Sequence, residues 1–439
     1  MLRMLIRRLG AVIFGCFVVL ISCSAVLSQN LGAGSSPAPK SNVAAGECPT
    51  SKDILEQTIK SLQQQLLLKR QERERAKSVA LDDAIRDLEG QIIDAVYQFD
   101  CFRELETRRG EEKFVEITNF YATNRKATGS SEPSQFYGKD DADQLQYGKT
   151  RVTIPSRHVV GMLELPTLWK LEISSNPDKH FVLKDVAPLD KDGALTELGT
   201  VLASSKSKSL LLFVHGFNVT FESAALRTAQ LANDLKFPGL VMFFSWPSDG
   251  ETRGYAHDEE SVELARPALN ALLDDLHNQP FDSIYLLSHS MGTRLLANVL
   301  AARQGQGAAA AKIKEVIFAA PDINSKIFER DLAPTLATMR GVVRTIYASS
   351  GDLALRASKA IHEYRRVGET TDGVLVFSGF DTIDASNVSP FRRAWGHSYI
   401  FDSPFVIADV ADAVVRQMAI ARRKVKRAGK VPNAFWVLD

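Results

Sequence analysis

Short apolar runs alternate with amphipathic segments along the second half of the chain. Each run is about as long as one strand, and the apolar residues of the intervening segments recur at helical spacing. Uninterrupted apolar strands that alternate with helices are typical of a parallel sheet covered on both faces, which predicts an α/β fold. The predicted strands are residues 210–214, 240–244, 284–287, 316–319, 343–347 and 374–377. The predicted helices are residues 221–235, 259–277, 293–304, 325–338, 353–363 and 404–421.

The region before these runs predicts strands at the edge of the same sheet. Residues 115–121, 151–155 and 180–183 have strand propensity, and we expect these strands to be antiparallel. Residues 126–150 are polar and contain glycine and aspartate, which predicts a loop. The predicted α/β domain covers residues 114–421.

A helical segment is predicted at residues 51–110. Two apolar sets recur there at helical spacing, on either side of the charged stretch at residues 69–75. The first set is Leu55, Ile59, Leu62 and Leu66, and the second is Leu81, Ile85, Leu88, Ile92, Val96 and Phe99. Two structures remain open, an αα-hairpin and one long coiled-coil helix through which the chain would form a homo-oligomer.

Residues 1–28 resemble an export signal. Arg3, Arg7 and Arg8 precede an almost wholly apolar stretch of chain. Three outcomes remain open: lipidation of Cys23 within a lipobox-like Leu-Ile-Ser-Cys sequence, ordinary cleavage after Ser28, and retention as an uncleaved anchor. We expect an exported protein of the bacterial periplasm or cell envelope, which an anchor or a lipid would attach to the membrane.

Residues 29–50 are rich in Gly, Ala, Ser and Pro, which predicts a flexible linker. Of the four cysteines, only Cys48 and Cys101 lie beyond the export signal. A hairpin would bring these two together, and an exported protein has reason to join them, so a Cys48–Cys101 disulfide is a hypothesis. Since no cysteines or histidines have zinc-binding spacing, we predict no metal site.

The charge balance excludes a global attraction to nucleic acid. Lys and Arg number 53 against 52 Asp and Glu, which gives a net charge of +1. Charged residues make up 24% of the chain and hydrophobic ones 45%, as in ordinary globular proteins. Residues 422–439 are predicted to be a basic C-terminal tail. The basic run at residues 422–427 is interpreted as a solvated helix end, with contact to a membrane surface as the alternative.

Ser290 follows one predicted strand and precedes a predicted helix. A strand, a sharp turn with a central serine and a helix form a nucleophile elbow, which exposes the hydroxyl at the end of the sheet. Ser288 stands where this motif usually has glycine, and Gly292 fits the motif. The helix N-terminus also directs backbone N–H groups at the site, so Met291 is a predicted oxyanion donor.

Other candidate residues lie in the loops that follow the remaining strands, where α/β sheets collect their functional groups. His215 and Gly216 lead to Phe217, whose N–H is the second predicted oxyanion donor. Trp246 and Trp395 are candidates for an acyl pocket or for ordinary loop packing. The site is further predicted to include His215, Gly216 and, beside the serine, His289, as neighbours rather than as bases.

A serine nucleophile needs a base, and the base needs a carboxylate that orients it. Ser290, Asp352 and His397 occur in the chain order of α/β-hydrolases, and each follows a predicted strand. We therefore predict His397 as the base and Asp352 as the acid. Asp322, one strand earlier, remains the alternative acid.

Seven motifs together resemble the bacterial α/β-hydrolase family catalogued as a domain of unknown function (DUF900). They are FYATNR at 120–125, FVHGFN at 213–218, FSWPS at 244–248, SHSMG at 288–292, AAPD at 319–322, YASSGD at 347–352 and GHSY at 396–399. The resemblance implies an esterase-like or lipase-like fold over residues 114–421. The N-terminal signal and helical segment fall outside it.

The predicted function is cleavage of small-molecule carboxylic esters by a serine hydrolase through an acyl-enzyme, without metal or organic cofactor. One alternative is a peptidase, a thioesterase or an acyltransferase on the same triad. The other is a non-catalytic envelope scaffold that binds partners through the helical segment.

Overall fold

The computed structural model describes residues 52–75, 84–85, 88, 91, 113–166, 175–251, 254–304, 312–388 and 396–438. The strands in these residues are β1 (Phe114–Ala127), β2 (Tyr137–Pro155), β3 (Val182–Leu189), β4 (Ser209–Val214), β5 (Leu240–Ser245), β6 (Ser283–His289), β7 (Ile313–Ala319), β8 (Val343–Ala348), β9 (Asp381–Asp384), β10 (Val425–Ala428) and β11 (Phe435–Leu438). All eleven form one sheet, in the order β10-β11-β9-β8-β7-β6-β4-β5-β1-β2-β3. The strands from β11 to β1 in this order are parallel, whereas β2, β3 and β10 pair antiparallel with their neighbours.

Helices cover both faces of this sheet. Along β4, Leu210 and Leu212 pack into one apolar core, and Leu211 and Phe213 pack into a second core on the opposite face. A strand buried on both faces needs a continuous apolar run, which confirms the predicted α/β fold. The helices are α1 (Lys52–Arg75), α2 (Lys191–Ser204), α3 (Phe221–Leu235), α4 (Tyr255–Leu264), α5 (Arg266–His277), α6 (Met291–Arg303), α7 (Ser325–Ile327), α8 (Ala333–Ala337), α9 (Leu353–His362), α10 (Tyr399–Asp402) and α11 (Pro404–Val414), with a π-helix at Phe328–Leu332 and 3₁₀ turns at Pro133–Gln135 and Ile420–Arg422.

The order of the strands changes direction beside β4. The chain passes from β4 to β5 on one side and then crosses to β6 on the other side of β4. At such a change of direction the loops leave the sheet on opposite faces, and ligands of open α/β sheets bind at the carboxyl ends of the strands there. The loop after β4 and the loop after β6 therefore meet at one edge.

Two predictions of local structure are wrong. Residues 126–150 are not simply a loop, because β1 continues to Ala127 and β2 begins at Tyr137. The apolar run at 374–377 is not a strand, and the sheet instead takes up β9 a few residues later. Phe377 lies against Phe328, with ring centroids 4.8 Å apart, so the end of this run is buried in an aromatic cluster while residues 374–376 are only partly buried.

Residues 422–438 do not form the end of an α-helix, although most of the basic side chains there are exposed, as expected for a solvated run. The helix predicted over 404–421 ends at Val414, and the residues that follow form the β10–β11 hairpin, whose second strand pairs with β9. Arg423 is buried and donates to Asp409 over 2.9 Å. The apolar residues of β11 and the Arg423–Asp409 ion pair attach this hairpin to the rest of the fold.

The N-terminal helical segment folds back on itself. Leu62 on α1 packs with Leu88, which lies in a second helical segment, and Ile59 and Leu66 pack against the pair. In one continuous helix Leu62 and Leu88, which are 26 positions apart in the sequence, would be separated by about 39 Å. This packing favours a hairpin over one long helix.

Several predicted features lie outside the described residues: the export signal with Cys23, the linker, the Cys48–Cys101 pair and Trp395. Among the helices that are described, none combines the length and the apolar character needed to cross a bilayer.

A buried histidine ties the connection after β2 to helix α3. His158 lies 2.6 Å from Asp234 on α3 and 2.8 Å from Glu164 in its own loop. Burial opposes a charge on this ring, but the two carboxylates outweigh burial and raise the pKa of His158 to about 9. The folded protein therefore holds a charged imidazole between two acids.

We expect His158→Gln to destabilise the protein in a pH-dependent way. Because the folded pKa lies above the ordinary value of 6.5, the stabilisation is complete below pH 6.5 and is lost as the pH rises to about 9. The free energy of unfolding should fall by about 3 kcal/mol at pH 6 and by much less at pH 9.5. Urea unfolding of both proteins at the two pH values measures this, and an equal loss at both would contradict the charged pair.

Candidate active site

Ser290 lies in a strained turn between β6 and α6. Its backbone has φ 53° and ψ −124°, a conformation that a residue other than glycine adopts only where the surrounding structure enforces it. The Ser290 N–H donates to the Ala319 carbonyl over 2.9 Å, which anchors the turn on the neighbouring strand. The serine predicted from the motif therefore stands in a nucleophile elbow.

His397 and Asp352 meet at the same edge of the sheet. His397 Nδ1 lies 2.7 Å from one carboxylate oxygen of Asp352, and the other oxygen caps α9 by accepting from the Leu355 N–H over 2.9 Å. A Cβ on Gly396, whose φ is +68°, would collide with the Gly351 carbonyl, so glycine allows this close approach. An ionised carboxylate only accepts, so Nδ1 carries the proton and Nε2 has a free lone pair.

The Asp352 carboxylate tunes this histidine. Burial opposes a charge on the ring, but the negative charge and the hydrogen bond of Asp352 outweigh burial and raise the pKa of His397 above its ordinary value. Asp352 is wholly buried, whereas 16% of the His397 side chain is exposed. The arrangement can accept a proton at Nε2 and stabilise the resulting imidazolium.

The loop after β4 lies directly against the serine. A Cβ built on Gly216 would stand 2.8 Å from Cβ of Ser290. Within the described residues, neither the Phe217 N–H nor the Met291 N–H donates to a backbone or side-chain acceptor. These are the two predicted oxyanion donors.

The sequence profile of the family described as "alpha/beta hydrolase of unknown function (DUF900)" matches residues 190–423, which is more than half of the 439 residues. The chain belongs to this α/β-hydrolase family. The match begins later than the predicted domain start at residue 114 and leaves the strands β1 to β3 outside it.

Similarity beyond the family is weak. An uncharacterized protein of Nostoc sp. (strain PCC 7120) is 27% identical over 136 residues, which cover 25% of this chain and 35% of that relative. Lipase B of Aspergillus fumigatus is 13% identical, with a TM-score of 0.31, and the match covers 48% of this chain and 53% of the lipase. An esterase of Rhizomucor miehei is 11% identical, with a TM-score of 0.31, over 71% of this chain and 88% of the esterase.

His289 of this α/β hydrolase holds the loop that carries His397. His289 Nε2 lies 3.0 Å from the His397 carbonyl oxygen, which can only accept, so the proton is on Nε2. Burial and then the neighbouring His397 ring lower the pKa of His289 well below its ordinary value. A neutral ring that donates to its neighbour's backbone is a structural partner of His397 and not a second base.

His215 and Trp246 pack against residues 216–218 after β4, the candidate oxyanion loop. Neither has appreciable exposed surface, their rings stack with centroids 5.0 Å apart, and Trp246 Nε1 donates to the His215 carbonyl over 2.8 Å. Burial, followed by the charge of Arg125, lowers the pKa of His215 to about 3. These contacts favour loop packing over an acyl pocket for Trp246, and they place His215 against the loop as a packing neighbour.

Asp322 belongs to a different cluster. One carboxylate oxygen accepts from the Tyr255 hydroxyl and the other from the Ser358 hydroxyl, each over 2.8 Å, and Arg366 lies 3.2 Å away. The Asp322 N–H donates to the Ser290 carbonyl over 3.3 Å, so this acid lies near the serine. Its carboxylate is engaged by these groups, and Asp352 is the acid that contacts His397.

Two charged residues at this edge were missed by the motif analysis. Arg125 ends the FYATNR motif and Asp258 lies in α4, and both are buried next to the loop that carries Phe217. Arg125 closely follows the apolar residues of a predicted strand, and this position was the signal for it in the sequence. Spacing alone, however, does not distinguish a buried arginine from a surface one. Within the described residues, no three His, Cys, Asp or Glu side chains form a metal-binding group.

Proposed function

We propose that this α/β hydrolase cleaves carboxylic esters through Ser290, His397 and Asp352. The observation that carries the proposal is the 2.7 Å hydrogen bond between Asp352 and His397 on the loops beside the Ser290 turn. A base that is oriented by a buried acid next to a serine in a nucleophile elbow is the arrangement that acyl transfer requires.

The proposed reaction has two halves. His397 Nε2 accepts the proton of the Ser290 hydroxyl while Oγ forms a bond to the ester carbonyl carbon, and the Phe217 and Met291 N–H groups hold the oxyanion. The C–O bond then breaks, and the imidazolium gives its proton to the departing alkoxide. Water, activated by His397, adds to the acyl-enzyme and releases the acid and Ser290.

Labelling by a fluorophosphonate tests the proposal. The wild-type protein should acquire one phosphonyl group, and peptide mass spectrometry should locate it on Ser290, because the probe reacts with serines that a neighbouring base activates. Paired p-nitrophenyl esters, thioesters and anilides then define the leaving group, and we expect the oxygen esters to react fastest. An unlabelled wild-type protein would contradict the proposal, whereas a labelled protein that prefers anilides or thioesters would replace the ester assignment.

The place of this reaction rests on the N-terminal sequence. The apolar stretch after Arg3, Arg7 and Arg8 supports export to the bacterial cell envelope, with Cys23 as the candidate lipidation site. Along the chain, the helical segment that starts with α1 separates residues 1–28 from the hydrolase domain.

A further inference from the structure

Two opposite charges are buried beside the loop that follows β4. Arg125, at the end of β1, is 1% exposed, and Asp258 on α4 has no exposed surface. Burying charges is costly unless they are hydrogen-bonded and paired. The groups that satisfy them therefore show what these two side chains hold in place.

Arg125 donates to four groups. Its Nη2 contacts the Val219 carbonyl at 2.7 Å, and its Nη1 contacts the carbonyls of Ser248 at 3.0 Å and Gly138 at 2.9 Å. Its Nε donates to the Ser245 hydroxyl over 2.8 Å. One guanidinium thus joins the loop after β4 to the loop after β5.

Asp258 accepts from the same two loops. Its Oδ2 receives the Asn218 N–H over 3.2 Å and the Ser248 hydroxyl over 2.5 Å, and its Oδ1 receives the Asp249 N–H over 2.7 Å. Ser248 Oγ in turn accepts from the Val219 N–H over 3.1 Å. The carboxylate therefore binds the backbone directly and through one hydroxyl.

Ser245 extends the network to the residue before the oxyanion loop. His215 Nδ1 lies 2.8 Å from the Gly216 carbonyl, so this nitrogen carries the proton and Nε2 accepts from Ser245 Oγ over 3.2 Å. Asn218 has φ 58°, a strained conformation that its neighbours must maintain. Partners on both sides of Phe217 are fixed, while its own N–H has none within the described residues.

We propose that Arg125 and Asp258 are positioning residues that preorganise the Phe217 N–H for the oxyanion of the reaction. The inference rests on the proposed function. A donor that is fixed before the reaction stabilises the developing charge without reorganising, and removing one such donor typically costs about 10²–10³ in kcat. Both side chains are buried and bound to the two loops, so we expect their effect on the reaction to pass through the loop after β4.

Asp258→Asn is the test, with Asp275→Asn as its matched control. Asparagine keeps the shape but turns one acceptor into a donor that faces the N–H and O–H groups of the loops. Asp275 is likewise a buried acid that accepts a hydroxyl over 2.5 Å, from Tyr147, but it lies on α5 away from the loops of the site. We expect Asp258→Asn to lower kcat about 100-fold with KM changed less than about threefold.

A boronic acid supplies the second measurement, because its adduct with Ser290 places an oxygen in the oxyanion position. Its affinity should fall together with kcat in Asp258→Asn and stay unchanged in Asp275→Asn. If Asp258 had a purely structural role, both variants would have a lower melting temperature, and kcat and boronate affinity would not fall selectively in Asp258→Asn. Equal kcat and boronate affinity in wild type and Asp258→Asn would overturn the inference.

Ser248→Ala keeps the inference testable if Asp258→Asn does not fold. It removes the hydroxyl that links Val219 to Asp258, and kcat should fall about tenfold with a matching loss of boronate affinity. An unchanged kcat in this variant would count against a positioning role for Arg125 and Asp258. Failure of the proposed function is distinguishable, since a wild-type protein without esterase activity or labelling would show it before any variant is made.

Discussion

Ser290→Ala should lower kcat for ester hydrolysis by about 10⁴–10⁶-fold and abolish fluorophosphonate labelling. The substitution removes only the hydroxyl oxygen, so the acyl-enzyme cannot form, while the oxyanion donors and the binding surface stay in place. A small residual rate from these groups is expected. Steady-state kinetics with a p-nitrophenyl ester, at enzyme concentrations high enough to measure the residual rate, give the ratio.

Ser288→Ala is the matched control for this variant. Ser288 lies two residues earlier on β6, is fully buried, and its hydroxyl contacts the Thr293 hydroxyl at 3.1 Å. Each variant removes one serine hydroxyl oxygen, and the two serines are two residues apart. General damage to this part of the chain should therefore be seen in both variants. If Ser290→Ala keeps more than about a hundredth of wild-type kcat, ester cleavage does not proceed through this hydroxyl.

Asp352→Asn should lower kcat by about 10³–10⁴-fold. Asparagine can present a donor to His397 Nδ1, which favours the tautomer whose proton is on Nε2, the atom that must accept from Ser290. The negative charge that stabilises the imidazolium is lost as well. Asp322→Asn, which alters a nearby acid that does not contact His397, should lower kcat by far less.

The pH profile separates the two acids further. His397 must be neutral to accept a proton, so kcat/KM of the wild type should fall as the pH drops through the raised pKa of His397, above 6.5. Without the Asp352 carboxylate this acidic limb should move to lower pH, even as the rate falls. A limb that moves in Asp322→Asn and stays in place in Asp352→Asn would reassign the acid.

Much of the fold could be predicted because its strands are buried on both faces. Runs such as residues 210–214 and 284–287 carry apolar side chains at every position. This pattern can be recognised in the sequence without knowing which strands or helices pack against the run. The run at residues 374–377 shows the limit of the argument. Apolar character predicts burial but does not predict strand pairing. Phe377 is buried against Phe328 rather than in a strand.

The end of the chain shows the same limit for charged residues. A basic stretch usually lies on a solvated surface, but Arg423 donates to Asp409 on α11 and is buried beside it. That pairing depends on a helix whose position relative to the last strands is set by the sheet. Residue types in the stretch itself carry no sign of it.

By itself the sequence determined the Ser290 turn and the order of the site loops, because a strand, a turn and a helix are specified by neighbouring residues. It left Asp352 and Asp322 both open, since each follows a strand at the same edge. Only the tertiary structure decided that Asp352 contacts His397 and that Arg125 and Asp258 lie beneath the oxyanion loop. Those contacts join residues far apart in the chain, and their geometry follows from how the strands and helices pack.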